Sequence, residues 1–162
     1  MSSTNAPSVS VTRVIDAPVE AVWAVATDLK SMPETMSAIT DVEVLAGGDA
    51  FGVGTRWRET RLMMRREATE EMTVTQADPL HSYTVEADNH GVHYVTVFAF
   101  RSLDPRRTEV TLTFSGQATV PQNIFARLMG RLGFRVVRKS LEKDLHDLAT
   151  AAESTAAPVN PG

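Results

Sequence analysis

The chain has 162 residues, a formal net charge of −4 and no cysteine. Its length, its hydrophobic fraction of 43% and its charged fraction of 22% are typical of one globular domain with a sizeable core. The acidic balance argues against general nucleic-acid binding, and the lack of cysteine excludes disulfides, cysteine-based zinc sites and thiol nucleophiles.

The first 36 residues predict a strand and two short helices. We expect residues 1–7 to be disordered and a strand to begin near Val9. Asp16 is placed to cap the first helix, and Pro18 lies at its start, where a missing N–H costs nothing. A second short helix is expected over residues 30–36. The apolar stripe of the first helix is formed by Val19, Val22, Trp23 and Ala26.

Six further strands follow, because alternating segments are separated by turn residues at hairpin lengths. We expect Arg65-Arg66 at one hairpin tip and Asn89-His90-Gly91 at another, where glycine supplies a positive φ. A long helix is predicted over residues 122–152, and residues 154–162 are predicted to be a disordered tail. The strands are predicted at residues 41–46, 55–64, 69–76, 81–88, 92–103 and 108–119.

This order predicts an α+β fold in which a curved antiparallel sheet of about seven strands wraps around the long C-terminal helix. Either element alone would leave an apolar face uncovered. The opening APVEAVW (17–23), the strand GVGTRWRET (52–60) and the turn Asp78-Pro79 resemble the START-like superfamily, also called SRPBCC or Bet v 1-like, and especially its polyketide cyclase/dehydrase group. The resemblance implies a helix-grip fold over residues 8–153, in one domain, with a cavity between sheet and helix.

Strand alternation predicts which side chains face that cavity. On the strand at residues 55–64, Trp57 identifies the inner face, which also carries Glu59 and Arg61. The predicted ligand-binding residues are Trp57, Glu59, Arg61, Met63, Met72, Tyr83, Tyr94, Phe98, Phe114, Phe125 and Met129.

Glu59, Arg61 and Glu70 would enter an otherwise apolar interior, where charged groups are rarely unpaired. Arg61 bridging the two carboxylates would satisfy all three and leave an amphipathic pocket suited to a small molecule. The alternative is that these charges lie at strand ends in water while the aromatic residues simply fill the core.

No sequence motif indicates a metal, a nucleotide or a covalent catalyst: HExxH, GxSxG and P-loop patterns are missing. His90 and His93 lie across a hairpin turn near Asp88, without a third ligand at suitable spacing. We expect a solvated turn there, and predict no metal and no cofactor.

Three functions fit the pattern. The first is binding of a small hydrophobic or aromatic molecule, such as a lipid, quinone, isoprenoid or polyketide. The second is a polyketide cyclase or dehydratase-type enzyme, with Glu59 or Glu70 as base and Arg61 or Tyr83 stabilising an oxyanion. The third is a protein-interaction or co-chaperone-like module that uses the hairpin tip at 63–66 and a basic stripe on the long helix.

The sequence constrains the partners and the cellular location of the protein less than it constrains the fold. No nucleic-acid partner is expected, and a monomer or a homodimer would fit equally. The N-terminus lacks a secretion signal and no apolar run nears the ~20 residues of a membrane span, which predicts a cytoplasmic protein. A basic helical stripe would suit peripheral contact with an anionic membrane, although a solvated face is the default. The stripe comprises Arg127, Arg131, Arg135 and Arg138.

Overall fold

The structure, a computed structural model, describes residues 7–89, 91–119 and 131–156. A 3₁₀ turn at Leu29–Ser31 links the first two helices. The elements in chain order are β1 (Ser8–Ile15), α1 (Val19–Thr27), α2 (Met32–Thr35), β2 (Ile39–Ala46), β3 (Arg56–Met63), β4 (Arg66–Asp78), β5 (Ser82–Asn89), β6 (Val92–Asp104), β7 (Arg107–Ala118) and α3 (Arg131–Ala156).

The strands form one seven-stranded antiparallel sheet in the order β1-β7-β6-β5-β4-β3-β2. Consecutive hairpins build the run from β2 to β7, and β1 closes the far edge by pairing with β7. The long helix α3 packs against β1 and α1. Leu145 on α3 and Leu112 on β7 are among the most deeply buried side chains. The predicted α+β helix-grip architecture is confirmed.

The predicted cap of α1 is wrong. The residue at the N-cap position is Pro18, and no side chain caps the helix. Asp16 lies two residues further upstream, and its backbone N–H donates to Glu153 Oε1 at 3.1 Å. The segment before α1 is therefore tied to the C-terminal part of α3 instead.

Two hairpin turns show how local backbone conformation ends the strands. Gly91 has φ 76°, which confirms the predicted positive φ in the β5–β6 turn. The β3–β4 turn consists of Met64 and Arg65 rather than Arg65 and Arg66, because Met63 pairs with Arg66. Both turn residues have positive φ, 50° and 64°, as a two-residue hairpin of this twist requires.

The helix α3 presents an apolar stripe to the core, in which Leu141, Leu145 and Leu148 are buried. It ends at Ala156, so residues 154–156, the first three of the predicted tail, are helical. Residues 1–6, 120–130 and 157–162 lie outside the described residues, so the predicted disorder at both termini and the limits 8–153 stay predictions. None of the described helices is long and apolar enough to cross a membrane.

Candidate functional site

A cavity of about 290 Å³ lies between the inner face of the sheet and α3. It lies over β2 to β7, and α1, α2, α3 and the segment between β2 and β3 contribute the remaining walls. Predicted site residues on its wall are Trp57, Glu59, Arg61, Met63, Glu70, Met72, Tyr83, Tyr94, Phe98 and Phe114. Phe125 and Met129 lie outside the described residues.

The orientation of β3 decides the chemistry of this cavity. The side chains of Trp57 and Glu59 are buried, with 3% and 5% of their surfaces exposed. Their neighbours on the strand, Arg56 and Arg58, are exposed. The alternation of a strand therefore turns the Trp57 face inward, as the sequence predicts. The alternative, in which these charges lie in water at strand ends, does not hold for Glu59.

Arg61 forms the centre of a buried ionic cluster. Its Nε donates to Glu59 Oε1 at 3.1 Å, and its Nη1 donates to Asp144 Oδ2 at 2.9 Å and Oδ1 at 3.1 Å. Trp57 Nε1 donates to Glu59 Oε2 at 3.2 Å, so both oxygens of that carboxylate are held. A guanidinium fixed between two carboxylates has a defined direction, because its planar fork matches their geometry.

The second partner of Arg61 is Asp144, not Glu70 as predicted. Glu59 and Glu70 face each other across β3 and β4, but α3 brings Asp144 over the guanidinium instead. Sequence reasoning missed Asp144. A signal was present: residues 137, 141, 144 and 148 recur at helical spacing, which places this carboxylate within the apolar stripe that faces the cavity.

Burial and pairing act in opposite directions on this cluster. Burial raises the pKa of Asp144, and the nearby Arg61 only partly offsets that effect. For Arg61, burial lowers the pKa, but Asp144 and Glu59 more than offset it, so the net shift is upward. Arg61 therefore stays charged, while Asp144 holds a proton more readily than an exposed aspartate.

Tyr83 is already engaged in the fold. Its hydroxyl donates to the backbone oxygen of Ala26 at 3.3 Å, and its ring stacks on Phe98 with centroids 4.4 Å apart. Burial, followed by the charges of Glu59 and Asp144, raises its pKa. Tyr83 is therefore a neutral aromatic wall rather than a free donor for an oxyanion.

Glu70 lies at a different corner of the cavity. Its Oε1 accepts a hydrogen bond from Asn89 Nδ2. Tyr94 lies nearby, with its ring stacked on Phe114 at 5.3 Å. Burial and, second, the charge of Glu70 raise the pKa of Tyr94. Glu70 is therefore a half-buried carboxylate whose charge acts on one member of a stacked aromatic pair.

The other candidate residues are not on the cavity wall. His93 lies on the outer face, within 2.8 Å of Asp88 Oδ1 and 3.0 Å of Glu86 Oε2, while His90 is outside the described residues. Within the described segments, no group of three or more suitable side chains could hold a metal ion.

The basic stripe is only partly described. Arg135 and Arg138 are exposed, and Arg138 Nη1 donates to the Ser10 oxygen at 3.3 Å. Arg127 lies outside the described residues, and Arg131 is the first residue of α3. Peripheral membrane contact through this stripe stays a prediction.

A profile of the family described as polyketide cyclase / dehydrase and lipid transport matches residues 6–153. No protein with a curated description matches the chain. The fold is similar to that of TTHA0849 from Thermus thermophilus, with 23% identity, a TM-score of 0.77 and coverage of 93% of this chain and 100% of that one.

Two further solved structures share this fold. The Zhui aromatase/cyclase from Streptomyces sp. R1128 has 20% identity and a TM-score of 0.72, covering 95% of this chain and 98% of that one. Norcoclaurine synthase from Thalictrum flavum has 14% identity and a TM-score of 0.75, covering 97% and 100%. At these identities the likeness shows the fold alone, whereas the family profile spans nearly all of the chain. The chain belongs to the polyketide cyclase/dehydrase and lipid transport family.

Proposed function

We propose that this protein binds a compact, largely apolar molecule with one or two aromatic rings in the cavity between the sheet and α3. The observation that carries the proposal is the cavity itself. Protein interiors are normally close-packed, and a space of about 290 Å³ with aromatic walls is unusual unless it holds something. Ligand sites span about 300–1,000 Å³, so this one suits a small occupant.

The walls favour flat, apolar ligands. The stacked pairs Tyr83–Phe98 and Tyr94–Phe114 lie on neighbouring strands and both line the cavity. Met63 and Met72 add flexible, polarisable side chains, which adapt to the outline of a ligand. These features support an aromatic ligand more strongly than a long-chain lipid.

Arg61 supplies a hydrogen-bond donor for the ligand. Among the residues that the structure describes, no hydrogen bond involves its Nη2, although Nε and Nη1 are both engaged. Because Arg61 lines the cavity, Nη2 is the guanidinium nitrogen that we expect a ligand to meet. It can donate to a carbonyl or hydroxyl oxygen of the ligand, in an orientation that Glu59 and Asp144 already hold.

A cavity-filling variant tests the proposal. Thr96 lies on the cavity wall, whereas Val95 points to the opposite face of β6. We expect naphthalene-methanol to bind the wild-type protein and the Val95→Phe variant, but not Thr96→Phe, in isothermal titration calorimetry. No binding to the wild type, or equal binding to Thr96→Phe, would contradict the proposal.

A second candidate function is proton-transfer catalysis on a bound ketone, as in a cyclase or dehydratase. The observation that favours it is Asp144, whose raised pKa makes its ionised form a stronger base beside the Arg61 guanidinium. A base near an enolisable carbon and a cation near its oxygen are the groups that enolisation needs.

The exchange of the α-hydrogens of beta-tetralone into deuterated water, followed by NMR, tests this candidate. We expect wild-type protein to accelerate exchange, and Asp144→Asn to bind the ketone with similar affinity but without acceleration. Equal exchange rates in both proteins would remove Asp144 from the mechanism. The third possibility, a protein-interaction module, has an exposed Met64 at the hairpin tip but no further support.

A further inference from the structure

The charged groups on the cavity wall are unequal in number. Among the described lining residues, three carry a carboxylate, Glu59, Glu70 and Asp144, and Arg61 carries the single guanidinium. Arg61 is committed to Glu59 and Asp144 at 3.1 and 2.9 Å. The third carboxylate is therefore left without the cation that the other two share.

Glu70 is the uncompensated group. Its Oε1 accepts from the neutral amide of Asn89, and no lysine, arginine or histidine whose side chain the structure describes forms an ion pair with it. Its Oε2 accepts no hydrogen bond from the side chains that the structure describes, and Glu70 lies on the cavity wall. A carboxylate oxygen on the cavity wall is therefore open to a ligand.

The position of Glu70 in the sheet makes this arrangement costly to the fold. In the β3–β4 ladder Glu70 is directly opposite Glu59, and both point into the cavity. The Cβ atoms of such a pair are about 5 Å apart, and like charges there destabilise a sheet. A positive charge bound in the cavity next to the two carboxylates would relieve that repulsion.

Aromatic rings line the same cavity as Glu70. Tyr94, on which the charge of Glu70 acts, stacks on Phe114 with ring centroids 5.3 Å apart. The faces of aromatic rings attract cations, most strongly where water is excluded. A carboxylate and aromatic rings on the wall of one cavity suit an organic ammonium ion, whose charge binds the carboxylate and whose carbon frame packs on the rings.

We propose that the ligand of this cavity is an aromatic amine in its protonated form, with its ammonium group on Glu70 beside Tyr94 and Phe114. The inference rests on the proposed function, since it names the class of molecule that the cavity binds. The ammonium donates to Glu70 Oε2, while the rings of the ligand occupy the apolar space toward Phe98. An anionic ligand of the same shape meets an excess of carboxylates and binds weakly.

Three compounds with one naphthalene frame and different charge test the proposal. Naphthylmethylamine is a cation at neutral pH, naphthalene-methanol is neutral and naphthoate is an anion. A charge-assisted hydrogen bond in a partly desolvated site supports roughly a ten-fold lower Kd for the amine than for the alcohol. We expect naphthoate to bind most weakly of the three in calorimetric titrations of the full chain at low salt.

Glu70→Gln removes the charge and keeps a side chain that Asn89 can bind, and Glu71→Gln is the matched control. Glu71 is the next residue on β4, lies on the outer face and pairs with the exposed Arg56 at 3.1 Å. We expect Glu70→Gln to abolish the preference for the amine over the alcohol with little change for the alcohol, and Glu71→Gln to retain it.

The outcomes separate the two proposals. If no naphthalene compound binds, both the proposed function and this inference fail. If the alcohol binds and the amine is no tighter, the cavity is a ligand site but the ammonium class is wrong. This wild-type comparison decides the matter even if Glu70→Gln does not fold. A preference for the amine that survives in folded Glu70→Gln would also overturn the inference.

Discussion

Asp144 in the cavity and Asp104 at the end of β6 are both hydrogen-bonded to an arginine, yet their pKa values shift in opposite directions. Arg61 Nη1 lies 2.9 Å from Asp144 Oδ2, and Arg107 Nε lies 2.8 Å from Asp104 Oδ2. The pKa of Asp144 is raised and that of Asp104 is lowered.

The difference is caused by burial. The Asp144 side chain is 16% exposed and lies in an apolar cavity, so removal of its carboxylate from water outweighs the attraction of Arg61. Asp104 is solvated, and the hydrogen bonds from Arg107 and from the backbone N–H of Arg106 dominate. An ion pair with arginine therefore stabilises the charged form of the solvated Asp104, whereas the buried Asp144 takes up a proton more readily despite its arginine.

Replacing the arginine of each pair is expected to give the largest difference in stability between the two regions. Arg61→Met leaves Glu59 and Asp144 in the cavity without a cation, which costs about 3 kcal/mol of unfolding free energy. Arg107→Met is the control and should leave stability nearly unchanged, because its pair is exposed. Urea unfolding followed by circular dichroism measures both. Similar losses in the two variants would show that burial does not distinguish these pairs.

The pH dependence of stability should follow the direction in which each aspartate pKa is shifted. The folded protein binds a proton on Asp144 more readily than the unfolded chain, whose reference pKa is 3.8. The contribution of Asp144 to stability therefore falls as pH rises from about 4 through its higher folded pKa. We expect the stability difference between wild type and Asp144→Asn to decrease over that range. A constant or rising difference in urea unfolding would contradict the raised pKa.

Asp104→Asn should show a smaller effect of opposite sign. Because the folded pKa of Asp104 lies below 3.8, its contribution is present above that pH and is lost as pH falls through the lowered value. Asparagine can still accept the hydrogen bond from Arg106 N–H, so the variant isolates the charge. Thermal unfolding between about pH 2 and pH 5 should show the wild-type advantage shrinking toward the acid end. An advantage that grows with acidity would exclude this assignment.

Much of the candidate site could be predicted because strand alternation is local. Once Trp57 is assigned inward, Glu59, Arg61 and Met63 follow on the same face, and the structure places all four on the cavity wall. The alternation of β6 likewise places Tyr94 and Phe98 there. These expectations needed only a period of two residues and one bulky apolar side chain.

Contacts between distant segments were harder to predict. Asp16 was expected to cap α1 from sequence proximity, but its N–H instead meets Glu153, 137 residues away. Asp144 was missed, although its helical spacing with Leu141 and Leu148 places it on the apolar stripe. An acidic residue within such a stripe is informative only when the opposing strand is known to present an arginine.

The sequence by itself determined the order of the elements, the face of each strand that turns inward and the aromatic character of the cavity, because these depend on short-range periodicity. Only the tertiary structure decided which carboxylate Arg61 binds. That choice depends on how α3 lies across β3, because this packing brings together Arg61 and Asp144, which are 83 positions apart in the sequence. By giving Asp144 to Arg61, this packing leaves the charge of Glu70 facing the cavity without a cationic partner among the described residues.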